Sequence, residues 1–130
     1  MNYKLIALDM DGTLLRKDKT VSERTKKAIE DARKKGVTVV LATGRPIDGV
    51  TRYLEELDMY GENDYVLSYN GGLVLKTKNR EAICKIGLTG EDLHYLYEIS
   101  KELGVNIHAF SETKGLITPK NSKYTEVEAN

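Results

Sequence analysis

Two aspartates one residue apart, at the end of an apolar run, are the residues of this chain whose type and spacing could do chemistry. They lie in Leu5-Ile6-Ala7-Leu8-Asp9-Met10-Asp11-Gly12-Thr13. Alternation along an extended chain turns Asp9 and Asp11 toward one cavity and Met10 away from it. Gly12 permits the tight turn that follows. Two carboxylates near an anionic phosphate repel it unless a cation intervenes, and hard oxygen donors select magnesium rather than zinc. The pair therefore suits magnesium-assisted phosphoryl transfer, with Asp9 and Asp11 as candidate metal ligands. Ser68 has no triad context, so a carboxylate is the candidate nucleophile, a role with precedent in enzymes that form an aspartyl-phosphate. The spacing leaves open which aspartate attacks.

Two further clusters could complete a phosphate site: Thr43-Gly44-Arg45-Pro46 and Asn70-Gly71. The Thr43 hydroxyl and the backbone N–H groups around Gly44, placed at a helix start, would bind phosphate oxygens with help from the helix dipole. A plain helix cap is the other reading of Thr43. Arg45 is either a substrate contact or a solvated surface residue, and Asn70 either a site residue or a turn former. His94 and His108 have no Cys or His partners at ligand spacing and read as surface or strand-face residues. Cys84 lacks a nearby His or a second Cys and reads as a small core residue rather than a nucleophile.

The elements that must position these groups follow from periodicity. Tyr3 to Leu8 is nearly all apolar, which predicts a strand covered on both faces, as in a parallel sheet. Ser22 can cap a helix running to about Lys35, with Thr25, Ala28, Ile29 and Ala32 inward and Gly36 as its stop. Val37 to Ala42 is then a parallel neighbour of the first strand. Ile47, Val50, Leu54 and Leu57 predict a second helix from near Pro46, before a third strand from Tyr65 to Tyr69. Open α/β sheets bind ligands beyond the carboxyl ends of their strands, which brings Asp9, Asp11, Thr43, Gly44, Arg45 and Asn70 to one edge.

Beyond that edge the pattern changes from crossovers to a meander. Leu73 to Leu75 and Glu81 to Ile86 predict a hairpin. Thr89 and Asp92 form a capping pair for a helix with Leu93, Leu96, Tyr97 and Leu103 along one stripe, ended by Gly104. Val105 to Phe110 and Leu116 to Thr118 read as antiparallel strands. A polar tail from Lys120 to Asn130 has Tyr124 and Val127 as anchors. The change of pattern predicts a boundary near Ala82, dividing the chain into 1–82 and 83–130.

Composition narrows the function classes. Lys and Arg number 20 and Asp and Glu 20 in 130 residues, a balance that argues against an electrostatic nucleic-acid or membrane surface. A single cysteine rules out an intrachain disulfide, and with no signal-peptide pattern or spanning apolar run the expected location is cytoplasmic.

The run Asp9-Met10-Asp11-Gly12-Thr13-Leu14, followed by Thr43-Gly44-Arg45-Pro46 and Asn70-Gly71, resembles the haloacid dehalogenase-like (HAD) hydrolase superfamily, and within it the Cof-type sugar phosphatases with an α/β cap. The resemblance implies an α/β fold: a Rossmann-like core with a parallel sheet, partial over 1–82, and the beginning of a cap over 83–130. It implies that Asp9 attacks phosphorus and ligates magnesium. Asp11 would protonate the leaving alcohol and later activate water, while its main-chain carbonyl touches the metal. Thr43 would hold the transferring phosphoryl group, and Arg45 and Asn70 would border the entrance. The substrate would be a small phosphorylated metabolite. A phosphomutase or phosphotransferase, and a non-catalytic metal- or phosphate-binding module, are the alternatives. Because the family pattern runs to about twice this length, with a lysine and further aspartates after the cap, the resemblance implies an N-terminal portion with little activity alone. It would expose the edge of its first strand to self-association.

Overall fold

The protein is described by a computed structural model over residues 3–119; the expected tail anchors Tyr124 and Val127 lie outside the described residues. Two compact units divide at Gly87 and Leu88. The first contains β1 (Leu5–Leu8), α1 (Glu23–Lys34), β2 (Thr38–Ala42), a 3-10 turn (Ile47–Gly49), α2 (Thr51–Glu56), β3 (Tyr65–Ser68), β4 (Leu73–Lys76) and β5 (Ala82–Lys85). These strands form one sheet in the order β1-β2-β3-β4-β5. β1 pairs parallel with β2 and β2 with β3, whereas β4 and β5 continue the sheet antiparallel. The register sets Leu8 opposite Leu41 and Ala42 opposite Leu67, so the first three strands end together.

The core of this unit is built where apolar residues recur on the inner faces. Val39, Leu41 and Val66 of the sheet pack with Ile29 of α1, with Tyr53 and Leu54 of α2, and with Met10, Leu14 and Leu15 of the loop after β1. α1 begins where the Ser22 side chain accepts from the Thr25 N–H and ends before Gly36, whose φ of 82° suits a residue without Cβ. Its inward face holds Thr25, Ile29 and Ala32, but Ala28 is exposed. Arg33 fastens the far end of the unit: it pairs with the buried Asp64 and donates to the carbonyls of Leu57 and Asp58 at 3.1 and 2.7 Å.

Several expectations are corrected. β1 is not covered on both faces: Leu5 is 56% and Ile6 38% exposed, and β1 is the edge strand of its sheet among the described residues. The second helix does not begin at Pro46, which instead caps the 3-10 turn, and α2 starts at Thr51. β3 stops at Ser68, since Tyr69 has left the extended region with φ 51°. Cys84 is exposed rather than in the core, every residue of β5 being exposed.

The second unit contains α3 (Gly90–Leu103) and the antiparallel pair β6 (Ala109–Ser111) and β7 (Gly115–Ile117). Thr89 and Asp92 satisfy each other's main-chain N–H groups in a capping box, and Gly104 closes α3 in the left-handed region. Of the expected stripe, Leu93 and Tyr97 are half-buried, while Leu96 and Leu103 are exposed. The strand expected from Val105 begins at Ala109. No helix among the described residues is long and apolar enough to cross a membrane.

Candidate active site

The ends of β1, β2 and β3 bound an open cavity of about 260 Å³ lined by Asp9, Thr43, Gly44, Asn70 and Gly71, with Ala42 and Leu67 adding apolar surface. A water molecule needs about 10–15 Å³ of such space, so the cavity has room for a small polyatomic group and its waters. The common register of the three strands brings these loop residues together.

Each side of the cavity has a local cause. After β1 the chain turns back on itself: the N–H groups of Leu14 and Leu15 donate to the carbonyls of Asp9 and Met10 at 3.1 and 2.9 Å. Met10 is fully buried, which fixes its two neighbours on the outer side. After β2 and β3 the two loops are stitched together. Asn70 N–H donates to Thr43 O at 3.0 Å and Tyr69 N–H to Arg45 O at 3.2 Å. The buried Thr43 accepts from Arg45 N–H on its Oγ1 at 3.2 Å, which leaves its own proton to donate into the cavity. Three successive left-handed residues, Tyr69, Asn70 and Gly71 with φ 51°, 55° and 89°, reverse the chain and turn Asn70 toward Gly44. A Cβ on Gly44 would lie 2.9 Å from Asn70 Oδ1. Glycine at 44 therefore lets the carboxamide approach the main chain of the facing loop.

The two aspartates have different surroundings. Asp11 does not line the cavity; its carboxylate is held by Arg45, with Nε to Oδ2 and Nη2 to Oδ1 both 2.7 Å, and by Lys19 Nζ at 2.7 Å. The hydrogen bonds from Arg45 first, then those from Lys19, hold the Asp11 carboxyl far below the usual carboxylate range, against a smaller opposing effect of burial. No hydrogen bond or ion pair is made by the Asp9 carboxylate among the described residues, and it lies on the cavity. Arg45 thus faces Asp11 rather than lining the cavity, and the expected helix dipole at Gly44 is lacking because a 3-10 turn follows. Lys19 joins these residues through its ion pair with Asp11. Its left-handed φ of 62° brings its ammonium onto Asp11, and lysine carries no sequence signal for that conformation. The described residues hold no group of three His, Cys, Asp or Glu suited to a metal. Magnesium, which retains waters and is bound by one or two carboxylates with substrate phosphate, does not require such a group, and the unpaired Asp9 carboxylate fits it.

Comparison with known proteins gives the family of the chain. The Bacillus subtilis protein named "Putative phosphatase YxeH" is 46% identical over 129 residues, covering 98% of this chain and 47% of the relative. The HMP-PP phosphatase of Yersinia pestis is 30% identical, covering 92% and 42%. The crystal structure of a haloacid dehalogenase-like hydrolase from Bacteroides thetaiotaomicron superposes with a TM-score of 0.82 at 32% identity, over 98% of this chain and 48% of that one. The chain thus spans about half the length of the relatives it matches. With the family model for haloacid dehalogenase-like hydrolases matching residues 6–130, this chain belongs to that family.

Proposed function

We propose that this chain carries the nucleophile and phosphate-binding loops of a magnesium-dependent phosphatase acting on small phosphorylated metabolites, sugar phosphates foremost, through an aspartyl-phosphate on Asp9. The observation that carries this reading is the contrast between the aspartates. The Asp9 carboxylate is unpaired and on the cavity, while that of Asp11 is taken up by two cations. An attacking carboxylate must approach phosphorus with its oxygen free, which favours Asp9 over Asp11. Names of relatives that include phosphatases support the reaction class.

In this reading the Thr43 hydroxyl and the Asn70 carboxamide orient the phosphoryl oxygens, and Gly44 keeps the two loops close enough for both to reach them. Arg45 stands beside the entrance, where a phosphate offers its guanidinium a second anionic partner. The hydrogen bonds from Arg45 and Lys19 hold Asp11 ionised, so drawing these cations toward an incoming phosphate would raise its proton affinity for acid–base work. Magnesium, held by the Asp9 carboxylate with the main-chain carbonyl of Asp11, would neutralise charge between nucleophile and phosphate.

The test, run on this chain continued to the full length of its relatives, is release of inorganic phosphate from p-nitrophenyl phosphate and a panel of sugar phosphates, with magnesium and with excess chelator. Release that stops on chelation and returns with magnesium is expected. Undiminished release in chelator would overturn the metal's part, and no release from any phosphate monoester would overturn the reading.

A further inference from the structure

Tyr53 has no part in the site just described, yet contacts to both cations on Asp11 converge on it. It lies on α2 with 1% exposure. Its hydroxyl donates to the main-chain carbonyl of Lys19 at 3.0 Å. The Arg45 guanidinium carbon lies 5.6 Å from the ring centroid. Arg52 stacks on the same ring at 4.5 Å and donates to the hydroxyl oxygen, which leaves the hydroxyl proton directed to Lys19. Lys19 and Arg45 come from separate loops, one after β1 and one after β2.

We infer that Tyr53 is a positioning residue: its hydroxyl sets the Lys19 loop and its ring sets the Arg45 guanidinium, so one buried side chain aligns both cations on Asp11 at the cavity rim. The chemistry of tyrosine suits both tasks. A buried ring offers a guanidinium a fixed, weakly polar face, and a buried phenol must find a hydrogen-bond partner. The Lys19 loop needs such an anchor. It is closed by short main-chain bonds, Lys19 N–H to Arg16 O and Arg16 N–H to Thr20 O, both 2.9 Å, around a lysine in a conformation that side-chain-bearing residues disfavour. The functional consequence rests on the phosphatase reading, because aligned cations matter there as partners for an incoming phosphate.

The experiment uses ¹H–¹⁵N and side-chain spectra of the wild-type chain, Tyr53→Phe, Tyr53→Met and, as a packing control, Met59→Ala, together with titration by inorganic phosphate in magnesium. In the wild type, Arg45 side-chain protons should be shifted upfield by the ring, and the Arg45 Nε–H should be protected. Tyr53→Phe should retain both signals while amide exchange at Lys19 quickens about five-fold, as expected for one lost hydrogen bond. Tyr53→Met should lose the upfield shift and the protection, and bind phosphate several-fold more weakly. Met59→Ala should lower the melting temperature and move neither signal. Unshifted Arg45 protons in the wild type would overturn the ring's part even if Tyr53→Met does not fold. Unchanged Lys19 exchange in Tyr53→Phe would overturn the hydroxyl's part. If the wild type does not bind phosphate but these signals behave as expected, the phosphatase reading fails and the positioning role stands.

Discussion

Gly44→Ala should separate binding from stability. The added Cβ would lie 2.9 Å from Oδ1, 3.3 Å from Nδ2 and 3.4 Å from Cγ of Asn70, so the carboxamide must move. Gly44 is not among the residues with positive φ, so alanine itself is unstrained there. Turning Asn70 off its preferred rotamer costs about 0.5–1.5 kcal/mol, while alanine stiffens the unfolded chain by about 0.4–1 kcal/mol in the opposite direction. The two nearly cancel, and thermal denaturation should show a change within about 1 kcal/mol. Phosphate affinity should respond more. A lost Asn70 hydrogen bond is worth about 0.5–1.5 kcal/mol, or roughly two- to ten-fold in Kd. Calorimetric titration with inorganic phosphate in magnesium measures it. Unchanged affinity would refute the placement of Asn70 on the ligand. A stability loss of about 3 kcal/mol would show that the backbone of the two loops, rather than one side chain, has to yield.

Asp11→Asn should destabilise the protein at neutral pH by at most about 1 kcal/mol, since the ion pairs it removes are solvent-screened. Because folding lowers the Asp11 pKa, its contribution is present above the ordinary value of 3.8 and is lost as the pH falls below it. Unfolding curves of wild type and variant should therefore converge in acid, and a gap that widens there would contradict the pairing. Arg33→Leu leaves the buried Asp64 without its cation and two carbonyls without a donor, and should cost about 3 kcal/mol by urea unfolding; a loss under about 1 kcal/mol would show that water replaces the guanidinium. β1, with Leu5 and Ile6 exposed at the sheet edge, should promote self-association. Light scattering should show mass rising with concentration in the wild type and less so in Leu5→Lys, and a concentration-independent monomer would exclude it.

The crossovers were legible because each element carried its own local signal: Ser22 as a cap, Gly36 as a stop, and apolar runs for β1, β2 and β3. The shared edge followed from them, since parallel strands of similar length end together. What sequence could not supply were distances and dihedral angles. The resemblance implies a place for Arg45 beside the entrance, but which anion it meets depends on a side-chain path across two loops. Lys19 depends on a left-handed backbone that its residue type does not favour. Tyr53 falls three residues after Val50, at the helical spacing of the core face, but spacing does not reveal what its hydroxyl touches. The apolar run at β1 signals affinity for cover, not its presence, and the lack of a catalytic partner beside Cys84 says nothing of its burial, which is why its place on exposed β5 was not legible. The 3-10 turn from Ile47 to Gly49 delayed α2 because helical periodicity of apolar residues does not distinguish a continuous helix from a turn followed by one.

Trapping the intermediate decides whether Asp9 is the nucleophile. The protein is mixed with p-nitrophenyl phosphate and magnesium, quenched in acid, and the peptide spanning residues 3–16 is sequenced by mass spectrometry. A phosphoryl group on Asp9, absent from Asp9→Asn, is the expected result. Hydrolysis of the ester with the phosphoryl group found on Asp11 instead, or retained in Asp9→Asn, would exclude Asp9 as the nucleophile.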